Sequence, residues 1–309
     1  MQEQTPMRAQ TLSGAPALAI VGFGEVGPIL AKALAAQGCQ VAAYDIKLDD
    51  PATRAQIEQR AAASGARVAA SLSDCLAGAE LVFSAVTASQ ARAVAESAAP
   101  LMRPGQTFID LNSVSPKVKQ QNSALIQRHG ADYVESAVMA PVPPQGIRVP
   151  MLLGGRGARA ISARLNALGM RTEAVADDIG LASAIKLCRS IMIKGMEAMC
   201  VQSMLAARHF GVDDRVLASM AASFPSVGWD EGYEAYLIGR VAEHGQRRSE
   251  EMREAAAMLA EIGMNPALAT SIADIQQALA RKGASLHDQL DAKGRLPQWR
   301  TLLTGGDAG

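Results

Sequence analysis

The chain has 309 residues, equal numbers of basic and acidic side chains, and an apolar fraction of 49%. This length allows one large domain or two ordinary ones, with a core that needs no metal or disulfide. The formal net charge of zero argues against the basic surface of a nucleic-acid-binding protein and against a polybasic membrane surface. The four cysteines lie far apart, without the spacing of zinc ligands, so we expect no metal site.

The N-terminal segment is polar and lacks the apolar core of a signal peptide. No apolar stretch approaches the ~20 residues that a membrane-spanning helix needs. We therefore expect a cytoplasmic protein with a flexible arm at residues 1–15.

Residues 16–178 alternate short apolar runs with helical patterns, which predicts an α/β Rossmann-type domain with a mainly parallel, doubly wound sheet. Strand signals then vanish, and residues 179–303 are predicted to form an all-α domain for substrate binding and dimerisation. The predicted strands are 17–21, 41–44, 81–86, 107–111, 133–138 and 150–153. The predicted helices of the second domain are 181–210, 213–222, 247–262 and 266–281.

A glycine-rich loop follows the first predicted strand directly and opens a helix. Its first glycine permits a tight turn, its second lets the backbone approach a pyrophosphate, and its third allows close packing of helix on strand. The pattern predicts binding of a dinucleotide. Its residues are Gly22, Phe23, Gly24, Glu25, Val26 and Gly27.

Asp45 ends the second predicted strand, where a carboxylate accepts hydrogen bonds from the adenosine ribose. It favours NAD over NADP because it repels a 2′-phosphate, although Lys47 two positions later weakens that preference. The carboxyl ends of the next strands should line the same cleft, which adds Val86 and Thr87 to the cofactor site.

The glycine loop and Asp45, then the segment 110–116 with its Asp-Leu-Asn-Ser-Val-Ser-Pro sequence, then Lys186 near the start of a long helix, stand in a characteristic order. In this order the chain resembles the β-hydroxyacid dehydrogenases, which include 3-hydroxyisobutyrate dehydrogenase and, more distantly, 6-phosphogluconate dehydrogenase. The resemblance covers roughly residues 15–200. It implies that Asn112 and Ser113 bind substrate, that Lys186 is the catalytic acid/base, and that the protein is a homodimer or a dimer of dimers.

The chain also departs from this family. Ser190 stands where relatives carry an asparagine and could bind substrate or lysine in its place, because it lies one helical turn from Lys186. The region 137–142 lacks the family's paired glycines. The C-terminal part resembles a divergent subgroup without an assigned function for this domain.

A lysine that is neutral when the alcohol binds can remove the hydroxyl proton as hydride leaves the carbon. We therefore predict an NAD(P)-dependent dehydrogenase of a 3-hydroxy acid or sugar acid. Three alternatives remain open: oxidative decarboxylation, which would release carbon dioxide; an imine reductase, against which Lys186 argues; and a dinucleotide sensor without turnover.

Several charged and apolar residues of the second domain receive structural interpretations. Lys194 is expected to face solvent or a partner subunit. His244, Arg247 and Arg248 are interpreted as part of a solvated face laced with ion pairs rather than an anion clamp. The methionines at 192, 196, 199 and 204 are expected in the core or at a dimer interface.

Overall fold

The computed structural model describes residues 16–282 and 287–303, so the arm predicted at residues 1–15 lies outside the described residues. Contacts between residues divide the chain into two compact units. The first unit continues to Asn112 and resumes at Val118–Ala182, and the second comprises Ser113–Lys117 and the chain from Ser183 onward. The predicted domains meet at a single boundary after residue 178, whereas the five residues Ser113–Lys117 group with the second unit.

The first unit is built on one eight-stranded sheet with the order β3-β2-β1-β4-β5-β6-β7-β8. Neighbouring strands are parallel except β6 and β7, which are antiparallel. The strands are β1 Ala17–Val21, β2 Gln40–Tyr44, β3 Arg67–Val68, β4 Leu81–Ser84, β5 Thr107–Asp110, β6 Asp132–Val138, β7 Pro150–Gly154 and β8 Arg171–Ala176. The predicted α/β class with a mainly parallel sheet is confirmed.

Helices follow the strands as the alternating pattern predicts. They are α1 Val26–Ala36, α2 Pro51–Ser64, α3 Leu72–Leu76, α4 Ala91–Ala98, α5 Pro116–Gln127, α6 Val142–Gln145 and α7 Ala158–Ala167. Helix α2 shows why the ends of such helices can be predicted from the sequence. Asp50 caps its first turn by accepting a hydrogen bond from Ala52 N, Pro51 occupies the first helical position, and Gly65 ends the helix at φ +71°.

Alternate side chains of the strands enter two separate cores, one on each face of the sheet. Leu18 and Ile20 pack with Phe83 in one core, whereas Ala19 and Val21 belong to the other. Because both faces are covered, the central strands read as continuous apolar runs. The predictions missed β3, which has two residues, and the edge strand β8, whose exposed Arg171 and Glu173 interrupt an apolar pattern.

The second unit is helical, and its helices are α8 Leu181–His209, α9 Asp213–Ser223, α10 Tyr233–Glu261 and α11 Ala267–Lys282. Helix α10 begins 14 residues before the predicted start at 247, which corrects that boundary. Gly239 and Gly245 weaken the helical signal there, but close packing requires Gly245, because a Cβ atom on it would lie 2.4 Å from Gln276 O of α11. No helix among residues 16–282 and 287–303 is long and apolar enough to cross a membrane.

Candidate functional site

The glycine loop joins β1 to α1 at the point where the strand order of the sheet reverses. Gly22 adopts φ +94°, and a Cβ atom on it would lie 2.5 Å from Ala85 O and 2.7 Å from Val86 Cγ1. A Cβ atom on Gly27 would lie 2.4 Å from Gly22 O, whereas one on Gly24 would meet nothing within 4 Å. Gly22 and Gly27 therefore serve the packing of the loop, and the open space beside Gly24 fits a pyrophosphate approaching the backbone.

The carboxylate of Asp45 holds the glycine loop from the end of β2. Its Oδ2 accepts a 2.7 Å hydrogen bond from Phe23 N, and its Oδ1 accepts one of 3.0 Å from Lys47 N. A carboxylate has about four acceptor positions, so two stay available for ribose hydroxyls. Sequence reasoning missed Arg60 of α2, whose Nη1 donates to Gly24 O over 3.2 Å. No sequence motif marks Arg60, because 36 residues separate it from the carbonyl that it contacts.

Asn112 braces the loop after β4. Its Oδ1 accepts a 2.8 Å hydrogen bond from Val86 N, and its Nδ2 donates to Ser84 Oγ over 2.9 Å. Asn112 is buried, so both polar ends of the predicted substrate-binding amide serve the framework of the first unit. Val86 lies beside Gly22 of the glycine loop, and Thr87 follows it at the start of a short turn where its hydroxyl contacts Ser89 Oγ.

A buried network of hydrogen bonds and one salt bridge surrounds Asp110, the last residue of β5. Lys119 Nζ forms a 2.9 Å salt bridge with Asp110 Oδ1 and donates to Asp110 O over 2.8 Å. Tyr133 donates its hydroxyl to Asp110 Oδ2 over 2.7 Å. Burial, with the neighbouring charge of Asp110, raises the pKa of Tyr133 well above its ordinary value. Sequence reasoning missed this network, although an aspartate at the end of a buried strand is a sign that partners exist.

Lys186 and Ser113 meet in the second unit. Lys186, on the second turn of α8, donates a hydrogen bond from Nζ to Ser113 Oγ. The segment that carries Ser113 is held by α10: Ser115 N donates to Glu254 Oε2 over 3.0 Å, and Ser115 Oγ donates to Glu261 Oε1 over 2.7 Å. Burial, assisted by Glu261, raises the pKa of Glu254. The structure therefore brings together the predicted acid/base and one predicted substrate residue.

Glu251 of α10 lies beside the lysines of α8. Its Oε1 accepts hydrogen bonds from Ser190 Oγ over 2.5 Å and from Lys194 Nζ over 2.9 Å. Burial alone would raise the pKa of Glu251, but the charges of Lys186 and Lys194 and the hydrogen bonds from Ser190 and Lys194 lower it to about 2. Sequence reasoning missed Glu251, because it stands in a run of alternating charges that resembles a solvated face.

Two expectations about charged residues of this unit were wrong. Lys194 does not face solvent: it is buried, and desolvation lowers its pKa even though Glu251 opposes that shift. Arg248 is buried as well and makes a two-pronged ion pair with Glu197, with Arg248 Nε 2.9 Å from Glu197 Oε2. Gln276 Nε2 donates to the same Glu197 oxygen over 3.1 Å. A buried charge is costly unless it is paired, and this requirement determines both placements.

Arg247 and His244, which were interpreted together with Arg248 as part of a solvated face, lie nearer the surface than Arg248. Arg247 is exposed. His244 is partly buried, with Nε2 3.2 Å from Glu243 Oε2, and desolvation lowers its pKa. Among the described residues, no group of three or more histidine, cysteine, aspartate or glutamate side chains is arranged to hold a metal ion.

The methionines of α8 divide between core and surface. Met204 is buried, whereas Met192, Met196 and Met199 are 68%, 41% and 62% exposed. The spacing of the last three places them on one face of the helix. Phe210, which is also exposed, directly follows the end of α8.

Two family models match different parts of the chain, one in its N-terminal half and one in its C-terminal half. Residues 17–142 match the NAD binding domain of 6-phosphogluconate dehydrogenase. Residues 207–279 match DUF1932, a domain of unknown function. The first match supports a nicotinamide dinucleotide as cofactor without deciding between NAD and NADP.

Similar solved structures cover nearly the whole chain. A conserved hypothetical protein from Sinorhizobium meliloti 1021 is 36% identical, with 94% of this chain and 96% of that chain covered and a TM-score of 0.77. The conserved protein MTH1747, of unknown function and described as structurally similar to 3-hydroxyacid dehydrogenases, is 30% identical, covering 86% and 98% of the chains, with a TM-score of 0.69. Mycobacterium tuberculosis 3-hydroxyisobutyrate dehydrogenase with L-serine shares the fold at 18% identity, covering 87% and 95%, with a TM-score of 0.71.

A curated relative matches a shorter region. The uncharacterized 28.5 kDa protein in the 7S RNA 5′ region of Methanothermus fervidus is 24% identical over 153 residues, which is 50% of this chain. The chain spans 58% of the length of that relative.

Proposed function

Because this chain belongs to the family of proteins that join the NAD-binding domain of 6-phosphogluconate dehydrogenase to a DUF1932 domain, we propose that it is an NAD(P)-dependent oxidoreductase. The proposed reaction transfers hydride between the nicotinamide and a 3-hydroxy acid or sugar acid. The observation that carries the proposal is the hydrogen bond from Lys186 to Ser113. This contact joins the two groups that the proposed reaction needs. One is an amine that exchanges a proton, and the other is a hydroxyl that binds substrate.

The first unit is proposed to bind the dinucleotide. The open backbone at Gly24 and the N-terminal end of α1, where Glu25 makes no side-chain cap, receive the pyrophosphate. Asp45 accepts hydrogen bonds from the ribose through its two remaining acceptor positions, which favours NAD because a 2′-phosphate would be repelled. When bound, the nicotinamide accepts or donates the hydride.

Lys186 is proposed to move the proton. In oxidation its neutral amine takes the hydroxyl proton of the substrate, and in reduction its ammonium returns a proton to the alkoxide. Ser113 accepts a hydrogen bond from Lys186 Nζ and can therefore donate its own hydrogen to a carboxylate or hydroxyl oxygen of the substrate.

Asn112 and Ser190 receive different parts in this proposal. Asn112 positions the loop after β4 through Val86 N and Ser84 Oγ rather than binding substrate by its own amide. Ser190 donates its hydrogen to Glu251, so a contact with substrate would use the remaining lone pairs of its oxygen as acceptors.

The substrate class is supported by the chemistry of one structural neighbour. L-serine, held by the 3-hydroxyisobutyrate dehydrogenase of Mycobacterium tuberculosis, carries its hydroxyl on the carbon two positions from the carboxylate, as every 3-hydroxy acid does. We therefore choose 3-hydroxy acids first, with aldonates beside them.

A homodimer is also part of the proposal. The exposed Met192, Met196 and Met199 present flexible apolar side chains on one face of α8, a surface that a second copy could cover. Light scattering during size-exclusion chromatography tests this assembly, and a monomer at micromolar concentration would contradict it.

The test of the activity is reduction of NAD⁺ and of NADP⁺ by the purified protein across a panel of 3-hydroxy acids and aldonates. Lys186→Ala should lose turnover by about 10²–10⁴-fold while it keeps dinucleotide binding. Lys293→Ala, which removes an exposed lysine of the same unit, is the matched control and should retain activity. Carbon dioxide release would identify oxidative decarboxylation, and equal turnover by Lys186→Ala and the wild type would reject the proposed role of Lys186.

A further inference from the structure

The carboxylate of Glu251 on α10 interacts with α8 at two successive turns of that helix. Its Oε1 lies 2.9 Å from Lys194 Nζ and accepts a 2.5 Å hydrogen bond from Ser190 Oγ, which stands one helical turn after Lys186. The positive charge of Lys186 is the strongest of the charges that lower the pKa of Glu251. Glu251 belongs to residues 207–279, the DUF1932 match, and not to the NAD-binding domain. The family comparisons therefore assign no role to it.

The surroundings of Glu251 leave its carboxylate little freedom. Ser190 Oγ donates to the same Oε1 atom over 2.5 Å, so two donors from successive turns of α8 fix this oxygen. Only 17% of the Glu251 side chain is exposed, and 7% of the Lys194 side chain. A carboxylate held in this way cannot turn toward solvent without leaving the Lys194 ammonium buried and unpaired.

The charged groups around this site come from two helices and one short segment. Helix α8 contributes Lys186, Lys194 and Glu197, and α10 contributes Arg248, Glu254 and Glu261 beside Glu251. The Ser113–Lys117 segment contributes the Ser113 hydroxyl, and its Lys117 is exposed. Helix α11 contributes the uncharged Gln276, which donates to Glu197.

We propose that Glu251 is a positioning residue for the acid/base step: its carboxylate, clamped by Ser190 and Lys194, holds the Lys186 ammonium beside Ser113 and sets the pH range in which Lys186 exchanges its proton. This inference rests on the role proposed for Lys186. It assigns a role to the DUF1932 domain: through Glu251, this domain would set the pH at which Lys186 exchanges its proton.

Glu251 does not exchange the proton itself. Its pKa of about 2 keeps it ionised across the working range of an enzyme. In the proposed step the proton moves between Lys186 and the substrate oxygen, and Glu251 acts by stabilising the ammonium form through its charge. Removal of this charge should make Lys186 release its proton at lower pH.

The experiment is a pH titration of the full chain, labelled with lysine enriched in ¹³C at Cε, whose chemical shift reports the protonation of Nζ. Lys186→Ala identifies the Lys186 resonance by its loss. In Glu251→Gln the midpoint of Lys186 should fall by about one pH unit, because loss of the carboxylate charge disfavours the ammonium form. Glu251→Asp, which keeps the charge, should recover most of this shift.

Glu250→Gln is the matched control, because it makes the same change one residue away at an exposed position and should leave the Lys186 midpoint in place. Should Glu251→Gln not fold, Lys194→Met/Glu251→Gln removes both members of the ion pair. Its Lys186 midpoint should lie below that of Lys194→Met alone, because these two variants differ only in the charge of Glu251. A Lys186 midpoint that stays unchanged in a folded Glu251 variant, with only the Lys194 resonance displaced, overturns the inference.

The titration needs no substrate and therefore separates the two proposals. A shifted midpoint without turnover on any substrate would reject the proposed function and leave the link between Glu251 and Lys186 standing. Where turnover exists, the pH dependence of kcat should move to lower pH by the same amount in Glu251→Gln, whereas a purely structural role would lower kcat without moving that dependence.

Discussion

Lys194 of α8 and Glu251 of α10 form a 2.9 Å salt bridge with 7% and 17% of their side chains exposed. Fifty-seven residues of sequence separate the two, and neither belongs to a recognisable motif. Breaking such a pair by removing one partner costs about 3–5 kcal/mol, because an uncompensated charge stays buried. The pair therefore links the stability of the second unit to the ionisation of Glu251.

Acid should remove the contribution of Glu251 to stability. Its pKa in the folded protein is about 2, below the ordinary value of 4.5, so the carboxylate stabilises the fold above pH 4.5 and this contribution disappears as pH falls toward 2. The difference corresponds to about 3 kcal/mol. Urea denaturation at a series of pH values should show a steeper acid loss in the wild type than in Glu251→Gln. Parallel losses in both proteins would contradict the assignment, and Glu250→Gln serves as the exposed control.

The ion pair between Arg248 and Glu197 should be required for stability. Arg248→Met leaves the buried Glu197 without its paired guanidinium, while Gln276 still donates a hydrogen bond to it. We expect a loss of about 3–5 kcal/mol in the free energy of unfolding. The double variant Arg248→Met/Glu197→Leu should recover much of this loss, since no buried charge then lacks its partner. Arg247→Met, at the exposed neighbouring position, should change stability by less than about 0.5 kcal/mol. An equal loss in the Arg247 and Arg248 variants would refute this account.

Two glycines of the loop should respond differently to alanine. Gly22→Ala forces a Cβ atom to 2.5 Å from Ala85 O at φ +94°, so thermal denaturation should show a marked loss of stability. Gly24→Ala places its Cβ atom in open space, so the protein should keep its melting temperature but lose affinity for the dinucleotide. Fluorescence titration with NADH measures the affinity. Unimpaired binding by Gly24→Ala would show that the pyrophosphate does not approach this backbone.

Asp45→Asn should weaken NAD⁺ binding more than NADP⁺ binding. The substitution removes the negative charge that attracts ribose hydroxyls and repels a 2′-phosphate, and one hydrogen bond to a charged group contributes about 1.5–3 kcal/mol, or roughly tenfold to a hundredfold in affinity. Isothermal titration calorimetry with both cofactors gives the ratio. Asp49→Asn, a few residues away and bonded to the Tyr44 hydroxyl, is the matched control. A cofactor ratio that the Asp45 substitution leaves unchanged would remove Asp45 from the specificity argument.

Much of the first unit could be predicted from the sequence, because its signals are local. The run of apolar residues before Gly22, the glycine spacing and the periodicity of α1 all lie within 20 consecutive residues, and the sheet places them as predicted. Strand β8 was missed because Arg171 and Glu173 are exposed on one face of it, so its side chains do not form a continuous apolar run.

The second unit shows what the sequence by itself leaves undecided. The periodicity of the sequence predicts helices α8 and α11. The resemblance identified Lys186 and Ser113, which are hydrogen-bonded in the structure. The sequence did not reveal that Lys194 and Arg248 are buried. A run of charged residues has the same sequence pattern whether it faces solvent or is covered by a second helix. A buried charge needs an opposite charge within hydrogen-bonding distance, and only the packing of α8 against α10 decides that Glu251 and Glu197 supply it.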